Sequence, residues 1–179
     1  LPPMARELSE EGKVSDELID YYRKRADGTG LIIVEHSYVS PEGIASKRQL
    51  SIADDDVIDG FKKLTDAIHA QGSFAIAQIS HAGFESISEE KLDLNEMSSE
   101  DIEHMKDAFI EAAVRTQKAG FDGVEIHSAH GYFLNQFYSP YTNKRTDDYG
   151  GDLENRIRLH NEIISETRNR VGEEYIIAI

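Results

Sequence analysis

The 179-residue sequence predicts an α/β fold in which a parallel sheet is covered by helices. Three observations carry this. Short apolar runs alternate with longer stretches whose apolar residues recur at helical spacing. The short runs are apolar nearly throughout, as in strands buried on both faces. The connections are also lopsided: those from helix to strand are short (Gly28–Gly30, Gly72–Ser73, Gly120–Gly123), whereas those from strand to helix are long (Ser40–Ala53, His81–Met97, His130–Gly151). Long connections at the carboxyl ends of strands are where (β/α)8 barrels and open doubly wound sheets alike build their sites.

Each element has its own signals. Ser15 is the N-cap of a first helix with Glu17 in its first turn, and Leu18, Ile19, Tyr22 and Ala26 recur at helical spacing before Gly28 and Gly30 break the pattern. Leu31 to Val34 follows as an apolar strand. Ile58, Phe61, Leu64 and Ile68 mark the buried stripe of a second helix, which Gly72 stops. Phe74 to Ile79 is the next strand. A third helix starts at Ser98 or Ser99, with Glu100 and Asp101 near its positive end, and carries Met105, Ala108, Phe109, Ala112 and Ala113 toward Gly120. Val124 to Ile126 is the third strand, Leu153 to Val171 the fourth helix, and Tyr175 to Ile179 one more strand. This is about half of an eight-stranded barrel, whose usual length is about 250 residues. A half barrel would leave strand edges and an apolar interior open, so the expectation is further sequence, a partner chain completing the sheet, or rearrangement.

Composition narrows the function classes. A net charge of −15 and a sequence pI near 4.8 argue against nucleic acid or an anionic membrane as partner, since both need a basic footprint. No apolar run approaches the roughly 18 residues that would span a bilayer, so a soluble globular chain, one domain or part of one, is expected. The absence of cysteine removes disulfides, thiolate nucleophiles and cysteine-ligated metal from these residues, and it fits a cytoplasmic location. The chain opens at Leu1 with no charged-then-apolar leader, which suggests an amino terminus already trimmed.

The stretch Phe121 to Arg158 holds most of the chemistry. After the apolar run Val124 to Ile126 it places His127, His130 and Tyr132 within six residues, where a strand running into a loop would aim all three at one mouth of the fold. Two N–H donors at a strand tip can serve one carbonyl oxygen and draw electron density from a conjugated double bond, an arrangement typically worth roughly 3 kcal/mol of barrier. A phenol with an ordinary pKa near 10 stays protonated at neutral pH and can act as a general acid. Other readings of the same residues stand beside these. His127 and His130 with Glu125 on the same strand face could begin a metal site, although spacing fixes no third ligand. Tyr132 taken alone is a packed aromatic with a satisfied hydroxyl.

The run HSAHGYFLNQFYSPYTNKRTDDYGGDLENRIR, from His127 to Arg158, resembles the signature of the Old Yellow Enzyme family of flavin-dependent ene reductases, including its NADH:flavin oxidoreductase and dienoyl-CoA-reductase-like branch. Leu1 to Ala5 (LPPMA), Gly30 to Gly43 (GLIIVEHSYVSPEG) and Ala77 to Gly83 (AQISHAG) agree with it in the same order, so the resemblance covers nearly the whole chain. It implies an FMN-binding (β/α)8 TIM barrel of which residues 1–179 are the N-terminal half, with NAD(P)H as reductant and small enone or enoyl compounds as substrates. By the same resemblance His127 and His130 bind the substrate oxygen and Tyr132 protonates the α-carbon. Pro3, Met4 and Ala5 end the first barrel strand beside the flavin, Gln78 binds its pyrimidine edge, and His36 stands near it where many relatives have a small residue. No metal is implied. His81, Asn143, Arg145, Asp147, Tyr149, Gly150, Gly151, Asn155 and Arg156 read as structural.

Departures from the pattern matter too. Phe84 follows Gly83 where relatives usually have an arginine. The family's flavin-binding arginine falls just past Ile179, and its phosphate cradle comes from the seventh and eighth units. A polypeptide of these residues alone is therefore expected to be colourless. Two further functions are kept open on sequence grounds: a non-catalytic half barrel that binds or oligomerises through its open edge, and a metal-assisted hydrolase on the same barrel.

Overall fold

Five parallel strands form one sheet in the order β2-β1-β3-β4-β5 in the computed structural model, which describes residues 1–179. The chain runs α1 (Asp16–Ala26), β1 (Leu31–Tyr38), β2 (Leu50–Ser51), α2 (Ile58–His69), β3 (Phe74–Ser80), α3 (Ser99–Lys118), β4 (Gly123–Ile126), α4 (Phe133–Tyr138), α5 (Leu153–Arg156), α6 (Arg158–Val171) and β5 (Ile176–Ala178).

Local chemistry sets the ends of these elements. Ser15 caps α1 by accepting the Leu18 N–H at 3.2 Å. Of the two candidate serines, Ser98 is the cap and Ser99 opens α3: Ser98 Oγ accepts the Asp101 N–H while the Asp101 carboxylate accepts the Ser98 N–H, closing a capping box. The single helix expected over Leu153–Val171 is split at Ile157: Asp152 caps a one-turn α5 by accepting the Asn155 N–H, and the chain restarts as α6. The long strand-to-helix connections also contain structure, β2 in one and α4 in another.

The amino-terminal residues hold the place of a strand before β1 without forming one. The Leu1 ammonium donates to Leu31 O at 2.8 Å and Ile33 N–H donates to Leu1 O at 3.0 Å, on the edge of β1 away from β3. Pro2 and Pro3 have no N–H to extend this ladder, so pairing stops after one residue. Pro3, Met4 and Ala5 are thus extended chain beside β1, not strand, with Met4 62% exposed.

One face of the sheet is covered. Ile32, Val34, Ala75, Ala77, Ile79, Val124 and Ile126 pack beneath Leu18 and Tyr22 of α1, Phe61 and Leu64 of α2, Phe109 and Ala113 of α3, and Ile163 of α6. The other face is apolar at the amino ends of the strands and open: Leu31, Phe74 and Ile176 are 37%, 61% and 46% exposed. Toward the carboxyl ends that face turns polar, with Gln78 paired to Glu125 in register.

A β-bulge interrupts β1. Val34 faces Ala77 and Ser37 faces Ile79, so two residues, Glu35 and His36, stand opposite Gln78 alone. The bulge sends the two side chains to different neighbours. Glu35 goes to α1 and the amino-terminal segment, accepting from Tyr22 Oη and from the Arg6 N–H at 2.6 Å. His36 goes to the carboxyl mouth.

Candidate active site

The mouth is built on the tip of β4. His127 is still held to the sheet, since its N–H donates to Ile79 O at 2.9 Å, and beyond it the chain turns away. His130 takes a left-handed conformation (φ 59°) followed by Gly131 (φ 74°), a turn that Asn135 braces by accepting the Gly131 N–H at 3.0 Å. A non-glycine residue in that region costs on the order of 1 kcal/mol, held here by the surrounding bonds. Tyr132 then starts α4, and its ring returns over His127.

The rings meet at short range. His127 lies 5.0 Å from His130 and 4.9 Å from Tyr132, centroid to centroid. His36 joins them from β1, 6.1 Å from His127 and 5.9 Å from Tyr132. His127 Nδ1 accepts the Ala129 N–H at 3.2 Å, so its ring hydrogen sits on Nε2 and points at His130 Nδ1, 3.2 Å away. The hydrogen of His130 is then on its outer nitrogen, Nε2. The pair thus shares one N–H internally and presents another outward.

Charge follows burial. Burial pushes His127 from 6.5 down to about 4, with His36 and His130 adding to the shift, and burial with His130 does the same to His36. At neutral pH both rings act as neutral N–H donors. Burial and Glu85 raise the Tyr132 phenol, which keeps its proton.

Below the rings, Gln78 Nε2 donates to Glu125 Oε1 at 2.5 Å. Glu125, the sequence's nearest candidate for a third metal ligand, is engaged there. The amide oxygen of Gln78 makes no bond within the chain, so this layer offers both donors and acceptors to a planar heterocycle, and the donor set fits a flavin's polar edge. A cavity of about 750 Å³ opens beside it on the β5 side, lined among others by Gln78, Glu125, His127, His130, Tyr138 and His160.

The structure therefore brings His127, His130, Tyr132 and His36 together above Gln78. Pro3, Met4 and Ala5 make no hydrogen bond to any of them. Three partners escaped the sequence reading. Gln49 and Ser80 both reach His36 Nδ1, at 2.9 and 3.2 Å, and Ser128 Oγ bonds His160 Nε2 at 2.6 Å. The alternation Gln49-Leu50-Ser51-Ile52 was the available signal for β2 and hence for Gln49. His81, read as structural, is buried against Phe133 and packs where a side chain at Gly43 would have to go.

A family model described as the NADH:flavin oxidoreductase / NADH oxidase family matches residues 1–96 and 88–179. An NADPH dehydrogenase from Halalkalibacterium halodurans is 45% identical over 181 residues, covering 93% of this chain and 54% of that protein. Among solved structures, a 2-naphthoyl-CoA reductase in complex with 2-naphthoyl-CoA is 31% identical with a TM-score of 0.93, covering 98% of this chain and 32% of its own. The Old Yellow Enzyme from Pichia sp. AKU4542 is 33% identical with a TM-score of 0.87, covering 98% and 53%. The chain spans 30% to 54% of the length of the relatives it matches.

Proposed function

Because the chain belongs to the NADH:flavin oxidoreductase / NADH oxidase family, we propose that residues 1–179 are the N-terminal half of an FMN-binding barrel whose enzyme uses NAD(P)H to reduce the C=C bond of α,β-unsaturated carbonyl compounds. The observation that carries this reading is the meeting of His127, His130 and Tyr132 at one strand tip, with centroids about 5 Å apart. FMN, when bound, supplies the hydride. Gln78 and the backbone of Pro3, Met4 and Ala5 would hold the ring, with His36 at its rim. The outward N–H of His130 and, once a carbonyl oxygen displaces the internal bond, that of His127 bind the oxygen and polarise the conjugated system. Tyr132 holds a proton on Oη for the α-carbon.

The decisive experiment uses the intact enzyme with FMN and a cyclic enone. Tyr132→Phe should slow enone reduction while leaving NAD(P)H oxidation by another acceptor in place, and His127→Ala should weaken enone binding. Equal rates of enone reduction in wild type and Tyr132→Phe would overturn the assignment.

A polypeptide confined to residues 1–179 supplies ring-facing contacts without the phosphate cradle, so it should purify colourless and inactive; a stoichiometric flavin spectrum would refute this. The open face at Leu31, Phe74 and Ile176 favours a second reading for that polypeptide, self-association through the uncovered sheet. Sedimentation of a monomer at micromolar concentration would exclude it. The absence of cysteine from residues 1–179 supports a cytoplasmic location.

A further inference from the structure

The phenol of Tyr132 makes no hydrogen bond within the chain, so nothing at its own oxygen fixes where it points. Its aim comes from its backbone and from the rings of His127 and His36 beside it. Three successive peptide units make up that backbone, and α4 holds all of them. Asn135 Oδ1 accepts the Gly131 N–H at 3.0 Å, Gln136 Nε2 donates to Gly131 O at 2.5 Å, and the Gln136 backbone N–H donates to Tyr132 O at 2.8 Å. The last two carbonyls belong to the peptide units on either side of the Tyr132 Cα. One residue therefore grips both.

The same side chain reaches a second loop. Gln136 Nε2 also donates to Ala82 O at 3.3 Å, and Gln136 Oε1 accepts the Phe84 N–H at 3.3 Å. These backbone partners settle which end of the amide is which, since carbonyls can only accept and an N–H can only donate. Both amide hydrogens and the oxygen are thus engaged, and the residue is 2% exposed, so water does not compete for them. The segment after β3 is shaped to this amide: Gly83 adopts a left-handed φ of 58°, and a Cβ there would collide with Gln136 Oε1. Gln136 takes no part in lining the neighbouring cavity.

We propose that Gln136 is the positioning residue for Tyr132: it fixes the two peptide units that aim the phenol and ties them to Ala82–Phe84, so that proton delivery depends on a contact between two loops. The proposal rests on the reading of Tyr132 as the proton donor. Gln136 acts only through that side chain, and an apolar replacement of similar length would fill its space while leaving Gly131 O, Ala82 O and the Phe84 N–H unpaired.

The test uses the intact FMN-loaded enzyme with 2-cyclohexenone as substrate. Ferricyanide serves as an acceptor that takes electrons and needs no proton from Tyr132, and benzaldehyde serves as a binding probe with a single carbonyl oxygen. Gln136→Met should slow enone reduction by roughly 10- to 10²-fold, the scale of a misplaced reacting group. Ferricyanide reduction and benzaldehyde affinity by calorimetry should be unchanged, and the Tyr132 ring resonance in ¹³C-tyrosine-labelled protein should shift. Gly83→Ala, which presses on the amide from the other loop and leaves α4 intact, should give the same pattern more weakly. In a Tyr132→Phe background, Gln136→Met should alter enone reduction by less than about twofold, because the group it aims is gone, whereas a general structural defect would persist there. Enone reduction at the wild-type rate in Gln136→Met, or a full further loss in the Tyr132→Phe background, would overturn the proposal. If Tyr132→Phe is slow while Gln136→Met and Gly83→Ala are not, the proton donor stands and the role of Gln136 falls. If Tyr132→Phe itself reduces the enone at the wild-type rate, the reading of Tyr132 fails and takes the role of Gln136 with it.

Discussion

Histidines stand at both ends of the β3–β4 pair, and the chain uses them in opposite ways. At the amino end His69 meets a carboxylate, Asp122, at 2.9 Å, and the same Asp122 oxygen accepts the buried Ala75 N–H at 2.7 Å. At the carboxyl end His127, His130 and His36 bond to one another's surroundings through amides, hydroxyls and imidazoles, with no carboxylate as partner. A carboxylate makes a histidine a clamp. Its absence leaves rings whose remaining N–H groups are free for a ligand. Stability and chemistry are therefore separated along the same two strands, as in barrels that keep their sites on the carboxyl face.

The largest effect expected from breaking this division is at Tyr132. Replacing it by Phe should lower the rate of α-carbon protonation in the FMN-loaded enzyme by roughly 10²- to 10⁴-fold, read by single-turnover kinetics, and leave the urea midpoint nearly unchanged. The complementary change is Asp122→Ala, which strands the Ala75 N–H in the sheet. It should cost about 1–3 kcal/mol in urea denaturation without altering benzaldehyde affinity. A loss of binding in Asp122→Ala would show that the two ends are coupled.

Acid titration sharpens the contrast. Burial holds His36, His127 and His160 down near 4 and His81 near 3, all from an ordinary 6.5. Between those values the unfolded chain binds more protons than the folded one, so stability is complete above about pH 6.5 and falls as pH drops toward 4. Each ring contributes on the order of 1 kcal/mol to that slope. His160→Leu should flatten the acid limb measured by urea midpoints between pH 4 and 6.5, and an unchanged limb would remove His160 from this account. The smallest effect belongs to the strained turn. His130→Gly should relieve the positive φ and stabilise the fold by up to about 1 kcal/mol, while weakening carbonyl binding. Stability and function would then move in opposite directions at one residue.

Much of this was legible in the chain. Strands β1, β3 and β4 and helices α1 to α3 fall where apolar spacing and capping serines put them, because those elements pack by the regularities that spacing records. The mouth residues His127, His130 and Tyr132 were legible because they lie within six positions of each other. What escaped was short or non-local. β2 shows only in the four-residue alternation Gln49–Ile52, too short to stand out from its loop, and the split at Ile157 depends on Asp152 capping a single turn. The bond from Gln49 to His36 spans 13 positions and exists only once β2 lies along β1. The resemblance implies a strand end at Pro3, Met4 and Ala5, yet two prolines deny that segment its ladder.

The extra residue in β1 has a consequence for the kind of guest this mouth admits. Restoring regular pleating there would leave room for only one side chain opposite Gln78, so which residue is removed decides whether a neutral imidazole or a carboxylate lines the opening. Without Glu35, the imidazole would remain and the amino-terminal segment would lose its tether. Without His36, a carboxylate would stand where the third ring is now, and an acceptor would replace a donor at the opening.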